Sequence, residues 1–244
     1  MSEFINTIDK LGDEVVFDSI ISKSITEFQD NVVTGLSRYA FERCSNLTIV
    51  DLPNATSVGG YVFRECTNLV SLDLPNATSV GGSAFSKCEN LISVNLPLVE
   101  DFYGSSATSV FSYCKSLKHI KLPSVTRTNT ELFAYCTSLK TVDLGVSCSS
   151  VYERLCEKCS SLTTFVLRNE SKVAQLRSTN AFNNTPIANG IGYIYVPRAL
   201  LSDTDSTKDY RQATNWSTYA AQFRALEDYT VDGTIMGELD ETKI

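Results

Sequence analysis

The chain has 244 residues, 43% of them hydrophobic and 20% charged, with a formal charge of −7 and a sequence pI near 4.8. That acidity excludes a sequence-independent nucleic-acid footprint, which needs clustered Lys and Arg, and it favours cationic groups on any charged partner. The apolar content excludes a compositionally disordered chain, and no stretch approaches the ~18 uninterrupted apolar residues of a membrane-crossing helix.

Residues 1–19 carry acidic groups within the first ten positions and no apolar run of signal-peptide length, so neither membrane insertion nor a leader is read here and the compartment is left open. Phe4, Ile5, Ile8 and Leu11 recur at helical spacing, which predicts an amphipathic N-terminal cap helix before Val15, Val16 and Phe17.

From about residue 20 to 197 one phrase governs the chain. Phe-x-x-Cys-x-x-Leu-x-x-Val/Leu/Ile-x-Leu is written five times, starting at Phe41, Phe63, Phe85, Phe111 and Phe133. The cysteines Cys44, Cys66, Cys88, Cys114 and Cys136 step by 22, 22, 26 and 22 residues. A fixed period in the twenties means that each unit is one coil unable to bury its own apolar face, so successive coils stack as a solenoid. Counting back 22 places Ile25 in the Leu47 slot, Phe28 in the Val50 slot and Leu36 in the Val58 slot. Within each unit, Leu-x-x-Val-x-Leu alternates like a short strand with one buried face, and these strands are expected to stack in parallel. Pro53, Pro75, Pro97 and Pro123 follow the last buried leucine, where a missing amide ends the ladder. The paired glycines Gly59-Gly60 and Gly81-Gly82 are expected to supply positive φ at a bend.

The period loosens at the end. Cys156 stands in a phenylalanine slot before Cys159, Thr185 takes a cysteine slot after Phe182, and Tyr193 to Pro197 imitates a strand with its proline. Over residues 198–226, Trp216, Tyr219, Ala220, Phe223 and Leu226 recur at helical spacing, which predicts a C-terminal cap helix. Residues 227–244 are acidic and turn-rich and read as a flexible tail.

Six of the eight cysteines occupy one slot of successive repeats, which is a packing role and predicts a reduced, inaccessible ladder. Cys148 and Cys156 stand apart as the thiols open to labelling or to a local bridge. Cys156 and Cys159, with Cys136 and Cys148 near, also allow a zinc or redox reading, against which stand the ladder duties of Cys136 and Cys159 and the absence of a nearby His.

The Cys-x-x-Leu-x-x-Val-x-Leu-Pro unit, with Thr-Ser-Val-Gly-Gly and Ala-Phe between units, resembles the BspA-like leucine-rich repeat family. The likeness covers about residues 20–197, and Asn215-Trp216-Ser217 with the preceding Thr185 and Tyr193 segments looks like the C-terminal cap of many bacterial members, some of them prophage-encoded. The resemblance implies surface- or particle-associated recognition and adhesion with no enzymatic activity on the repeat. The expected fold is a leucine-rich repeat right-handed α/β superhelix with short parallel strands and helical caps, monomeric in isolation.

Function is therefore expected on a surface. The outward position before the last buried leucine reads Asp51, Asp73, Asn95, Lys121 and Asp143, an acidic stripe that fits either a Lys- or Arg-bearing ligand or a plain solvated face. His119, with Lys118 and Lys121, interrupts it with a basic spot. Tyr113 and Tyr135, each one residue before a ladder cysteine, are expected to stack, either as recognition anchors or as packing over a neighbouring turn. With one histidine, no Gly-x-Ser-x-Gly and no phosphate loop, the chain lacks the usual parts of acyl or phosphoryl transfer, and no cofactor is expected. The reading that results is a binding module for a protein or glycan on a cell surface. The alternative is a structural component of a phage or other multiprotein particle that docks through its termini.

Overall fold

A computed structural model describes residues 9–11, 14–16, 25–103, 108–202, 205, 207–231 and 234–235. Each repeat makes one coil with three walls around a continuous core. The strand wall is built from the Leu-x-x-Val-x-Leu segments. Glu27–Gln29, Ile49–Asp51, Ser71–Asp73 and Ser93–Asn95 form one parallel sheet, and His119–Leu122, Thr141–Leu144, Thr164–Leu167, Tyr193–Val196 and Phe223–Ala225 form another. Register follows the period: Phe28, Val50, Leu72 and Val94 align, as do Ile120, Val142, Phe165, Ile194 and Phe223. A second wall stacks Gly35–Leu36, Ser57–Val58, Ser79–Gly81 and Asp101–Tyr103 in parallel.

The third wall is a turn ladder with two left-handed residues per coil. One row comprises Tyr39, Tyr61, Ser83, Ser109, Glu131 and Arg154, and the other Arg43, Glu65, Lys87, Tyr113, Tyr135 and Lys158. The left-handed turns aim alternate amides at the next coil. Tyr39, Phe41 and Arg43 donate to the carbonyls of Gly60, Val62 and Arg64, and the pattern repeats along the wall. This wall therefore satisfies its backbone without regular strands.

Inside, the phenylalanines form a stack. Successive centroids from Phe41 through Phe63, Phe85 and Phe111 to Phe133 lie 5.1 to 5.7 Å apart, with rings within 20° of parallel. All five are fully buried, and each burial contributes about 1.5–3 kcal/mol. The cysteines do more than fill space: the thiols of Cys66, Cys88, Cys114, Cys136 and Cys159 each donate to the phenylalanine carbonyl of the preceding coil, at 3.0 to 3.3 Å. Thr185, in the same slot, donates its hydroxyl to the Phe182 carbonyl at 2.7 Å. All eight cysteines are buried and unbridged, including Cys148 and Cys156, which are as inaccessible as the rest and not the open pair expected. Burial pushes the Cys148 thiol up to about 12 and raises that of Cys156, which disfavours the reactive thiolate at both positions.

Several expectations are corrected. The repeat glycines are not at positive φ, since the bends use Tyr61 and Ser83 for that. Glycine is needed for close approach: a Cβ at Gly59 would lie 2.6 Å from the Arg38 amide nitrogen, and one at Gly81 only 2.3 Å from that of Gly60. Among the described residues no α-helix caps the C-terminal end. Trp216–Gln222 is a 3-10 segment, and Phe223–Ala225 is a further parallel strand, so the ladder runs past the expected end at 197. Closure comes from aromatic side chains instead. Trp216 Nε1 donates to the Ala174 carbonyl at 2.6 Å, the Tyr210 hydroxyl accepts from the Ala174 amide at 2.9 Å, and Phe182, Tyr219 and Phe223 pack around them. At the other end, Leu11 of the expected cap helix lies in a strand. Asp9–Leu11 pairs antiparallel with Glu14–Val16, which joins Gly35–Leu36 in parallel and carries the second wall back before residue 20. Phe4, Ile5 and Ile8 of that expected helix, Phe17, and residues 236–244 of the tail lie outside the described residues. Among the described residues helical structure is confined to 3-10 segments, and no helix is long and apolar enough to cross a membrane.

Candidate functional site

The strand wall turns identical slots into rows because inward residues are fixed by the core while outward ones are free to vary. The row read from the sequence is ordered Asp51, Asp73, Asn95 in the first sheet and Lys121, Asp143 in the second. Asp51 and Asp73 sit side by side, about 4.8 Å apart in a parallel ladder. The Asp73 carboxylate accepts from the Asn95 amide at 2.8 Å.

Asp143 does not belong to an exposed stripe. It is 4% exposed and accepts two hydrogen bonds from the Arg168 guanidinium, at 2.8 Å each. The residue after Leu167 is an arginine where four earlier coils have proline and the preceding one glycine, and it folds back over the previous strand. The next residue of the row, Val166, is fully buried although its slot faces outward. The acidic stripe is thus two residues long, followed by a structural ion pair.

His119 is exposed on the first strand of the second sheet. Its pKa is held below the usual imidazole value by partial burial and by the charges of Lys140 and Lys118. Lys118 and Lys140 occupy one slot of adjacent coils, joined by the Lys140 amide donating to the Lys118 carbonyl at 2.7 Å. The basic spot is therefore centred on Lys118, His119 and Lys140. Lys140 belongs to no motif, and its only signal in the sequence is that it shares with Lys118 the slot two residues before the buried strand centre.

Tyr113 and Tyr135 stack as expected, with centroids 4.4 Å apart and planes 8° from parallel. They lie on the turn wall, away from the strand face, in left-handed backbone. The Lys158 ammonium continues the row, 4.8 Å from the Tyr135 ring centroid and 3.3 Å from its hydroxyl. Both tyrosines are half-buried. The same row starts with Arg43, Glu65 and Lys87, linked by ion pairs at 2.9 and 3.0 Å that hold the Glu65 carboxyl below its ordinary pKa. The first part of this wall is therefore self-paired.

A second aromatic group closes the strand wall at its C-terminal end. Tyr195 packs on Tyr229 with centroids 4.3 Å apart, and the Arg224 guanidinium sits 4.3 Å from the Tyr193 centroid. Tyr229 belongs to the segment read as tail, and its packing shows that the ordered surface continues past residue 226. Among the described residues no group of three or more His, Cys, Asp or Glu side chains could hold a metal ion.

The BspA type leucine rich repeat region model matches residues 2–107 and 105–193, in six copies. Among solved structures, a leucine rich cell surface protein from Faecalibacterium prausnitzii is 27% identical, with a TM-score of 0.56, covering 67% of this chain and 43% of its own. A leucine rich repeat protein of T. pallidum is 29% identical, with a TM-score of 0.51, covering 64% of this chain and 70% of its own. A leucine-rich repeat protein from Bacteroides ovatus, 19% identical with a TM-score of 0.56, shares the fold over 77% of this chain and 51% of its own. The chain thus spans less than half the length of the first of these and about half that of the third. Comparison with curated proteins gives no match. With its coils in register and its repeats matched over most of their length, the chain belongs to the BspA type leucine rich repeat family.

Proposed function

We propose that the chain is a non-catalytic binding module that presents its strand wall to a protein or glycan on a cell surface. The observation that carries this reading is the outward side of the strand wall. Its core-facing slots are nearly invariant, while its outward slots pass from carboxylates at Asp51 and Asp73 to the lysines Lys118 and Lys140 beside His119 and to aromatics at Tyr193 and Tyr195. A broad, shallow surface of graded chemistry suits an extended partner, with a few anchors supplying affinity and charge setting preference and on-rate. The solved likeness to a leucine rich cell surface protein from Faecalibacterium prausnitzii supports the setting.

The test pans a displayed peptide library and a glycan array against the full chain, then maps the binders with two variants. Asp51→Ala/Asp73→Ala/His119→Ala alters the strand wall, and Tyr113→Ala/Tyr135→Ala alters the turn wall. Loss of binding with the first variant alone is expected. Binders that respond only to the second, or only to removal of residues 236–244, would overturn the strand-wall reading, the latter in favour of docking through a terminus.

A further inference from the structure

One line across the strand wall combines three independent features. The slot two residues before the buried strand centre reads Thr48, Val70, Ile92, Lys118, Lys140 and Thr163 in successive coils. Val70 and Ile92 are exposed β-branched side chains, at 39% and 52%, stacked on one another through the Ile92 amide and the Val70 carbonyl at 2.9 Å. Lys118 and Lys140 follow as two adjacent exposed cations. No carboxylate lies within ion-pair distance of either among the described residues, although the chain carries a net charge of −7 and pairs many of its other cations. The lysines are close enough to depress the pKa of His119 between them.

The third feature is a seam at the centre of that line. The first strand sheet stops at Ser93–Asn95 and the second starts at His119–Leu122, with no ladder between them. The second wall is interrupted at the same coil, after Asp101–Tyr103, whereas the turn wall crosses it unbroken, with Phe85 donating to Val110 and Lys87 to Ser112. The seam falls in the 26-residue coil, in which Asp101–Tyr103 still aligns with Ser79–Gly81 at a spacing of 22 while Ser83 bonds Thr108 at a spacing of 25. At the seam Val94 is only partly buried, unlike its aligned neighbours Leu72 and Val50.

We propose that this line is a docking site for an extended acidic polypeptide segment, its apolar side chains over Val70 and Ile92 and its carboxylates on Lys118 and Lys140. The assignment rests on the strand-wall reading above and names the partner chemistry. The local charge of this spot, opposite in sign to the chain's net −7 that favours cationic partners elsewhere, selects an anionic ligand, and the adjoining apolar pair at the seam selects a polypeptide over an acidic glycan, which would leave Val70 and Ile92 uncovered. Val70 to Lys140 spans three coil steps, which at the 5.1 to 5.7 Å steps of the phenylalanine stack is about 16 Å, the reach of about five extended residues at ~3.4 Å each. Apolar and acidic side chains two to four residues apart therefore meet both halves of the line.

The test uses fluorescent 12-residue peptides bearing two apolar and two glutamate side chains at separations of one to four residues. Controls are the same peptides with lysine for glutamate, and oligogalacturonate. At least one glutamate peptide is expected to bind the full chain, with affinity falling as salt rises. Lys118→Glu/Lys140→Glu is expected to weaken it by about tenfold or more, and Ile92→Ser severalfold, with unchanged thermal midpoints for these exposed sites. The proposal is overturned if no peptide binds, if charge reversal leaves affinity intact, or if oligogalacturonate binds as well with the same lysine dependence. Library binders that respond to Asp51 and Asp73 but not to the lysines would leave the strand-wall reading standing while this site fails. Binders confined to the turn wall would remove both.

Discussion

Asp143 and Arg168 form a two-point ion pair across adjacent coils, both bonds 2.8 Å, with the aspartate side chain 6% and the arginine side chain 22% exposed. Such a pair is costly to break from one side because the remaining charge is left without its partner. Asp143→Ala is expected to destabilise by about 3 kcal/mol, and Asp143→Ala/Arg168→Leu by less than the sum of the single changes. Asp73→Ala, on the open part of the same row, is expected to stay within about 0.5 kcal/mol. Urea denaturation of the wild type, Asp143→Ala, Arg168→Leu, the double variant and Asp73→Ala checks this, and equal effects at positions 73 and 143 would contradict the division of the row into surface and structure.

The thiols provide a second check. Every cysteine is buried, and for Cys66, Cys88, Cys114, Cys136 and Cys148 burial raises the pKa, so the thiolate that reacts is suppressed twice over. Native-state labelling at pH 8 is expected to leave all eight unmodified over the time in which a denatured sample reacts fully. Rapid native modification of Cys148 or Cys156 would show that the C-terminal coils open more readily than the packing indicates.

How much of this was legible in the sequence follows from which interactions are periodic. The strands, the phenylalanine stack and the cysteine ladder recur at one spacing because each slot meets its own kind in the next coil, so Phe63 and Cys66 could be placed by counting. The caps could not. Trp216, Tyr219 and Phe223 have helical spacing, but they meet Phe182 and Tyr210 in a 3-10 and strand conformation set by tertiary packing, which overrides a weak local preference. Asp143 failed for the same reason: its slot is outward by period, and only the non-periodic Arg168, 25 residues on, buries it. Gly59 and Gly81 are ambiguous in the sequence because close coil approach and positive φ both demand glycine, and here it is the close approach that does.

His119 is the only histidine, so its titration can be followed without assignment. Burial and the charges of Lys140 and Lys118 hold its folded pKa below 6.5. A depressed folded pKa means that the fold binds the proton less well than the unfolded chain. The associated stability is therefore full above about pH 6.5 and is lost as pH falls through the folded value. NMR titration should give a midpoint below 6.5 that moves upward in Lys118→Ala/Lys140→Ala yet stays below 6.5, because burial is the larger cause and remains. An unchanged midpoint would mean that the lysines are too far or too screened to form one electrostatic unit with His119.

Gly145 stands where four earlier coils place proline, and its surroundings explain the exchange. Its amide donates to the Leu122 carbonyl at 3.1 Å, a bond that proline would forfeit, and a Cβ would sit 1.5 Å from the Pro123 carbonyl oxygen and 2.3 Å from its carbon. These are backbone atoms of a packed coil, so no side-chain rotation relieves the overlap and the two coils must separate. Gly145→Ala is expected to cost about 3 kcal/mol or more. At Gly60 the nearest atom to a Cβ is 3.3 Å away and φ is not positive, so Gly60→Ala is expected to fall within about 1 kcal/mol of wild type, helped by the lower entropy of the unfolded chain. Thermal denaturation of the pair checks the argument directly, and a well-folded Gly145→Ala protein with an unshifted midpoint would show that these coils are not in the close register that the rest of the solenoid depends on.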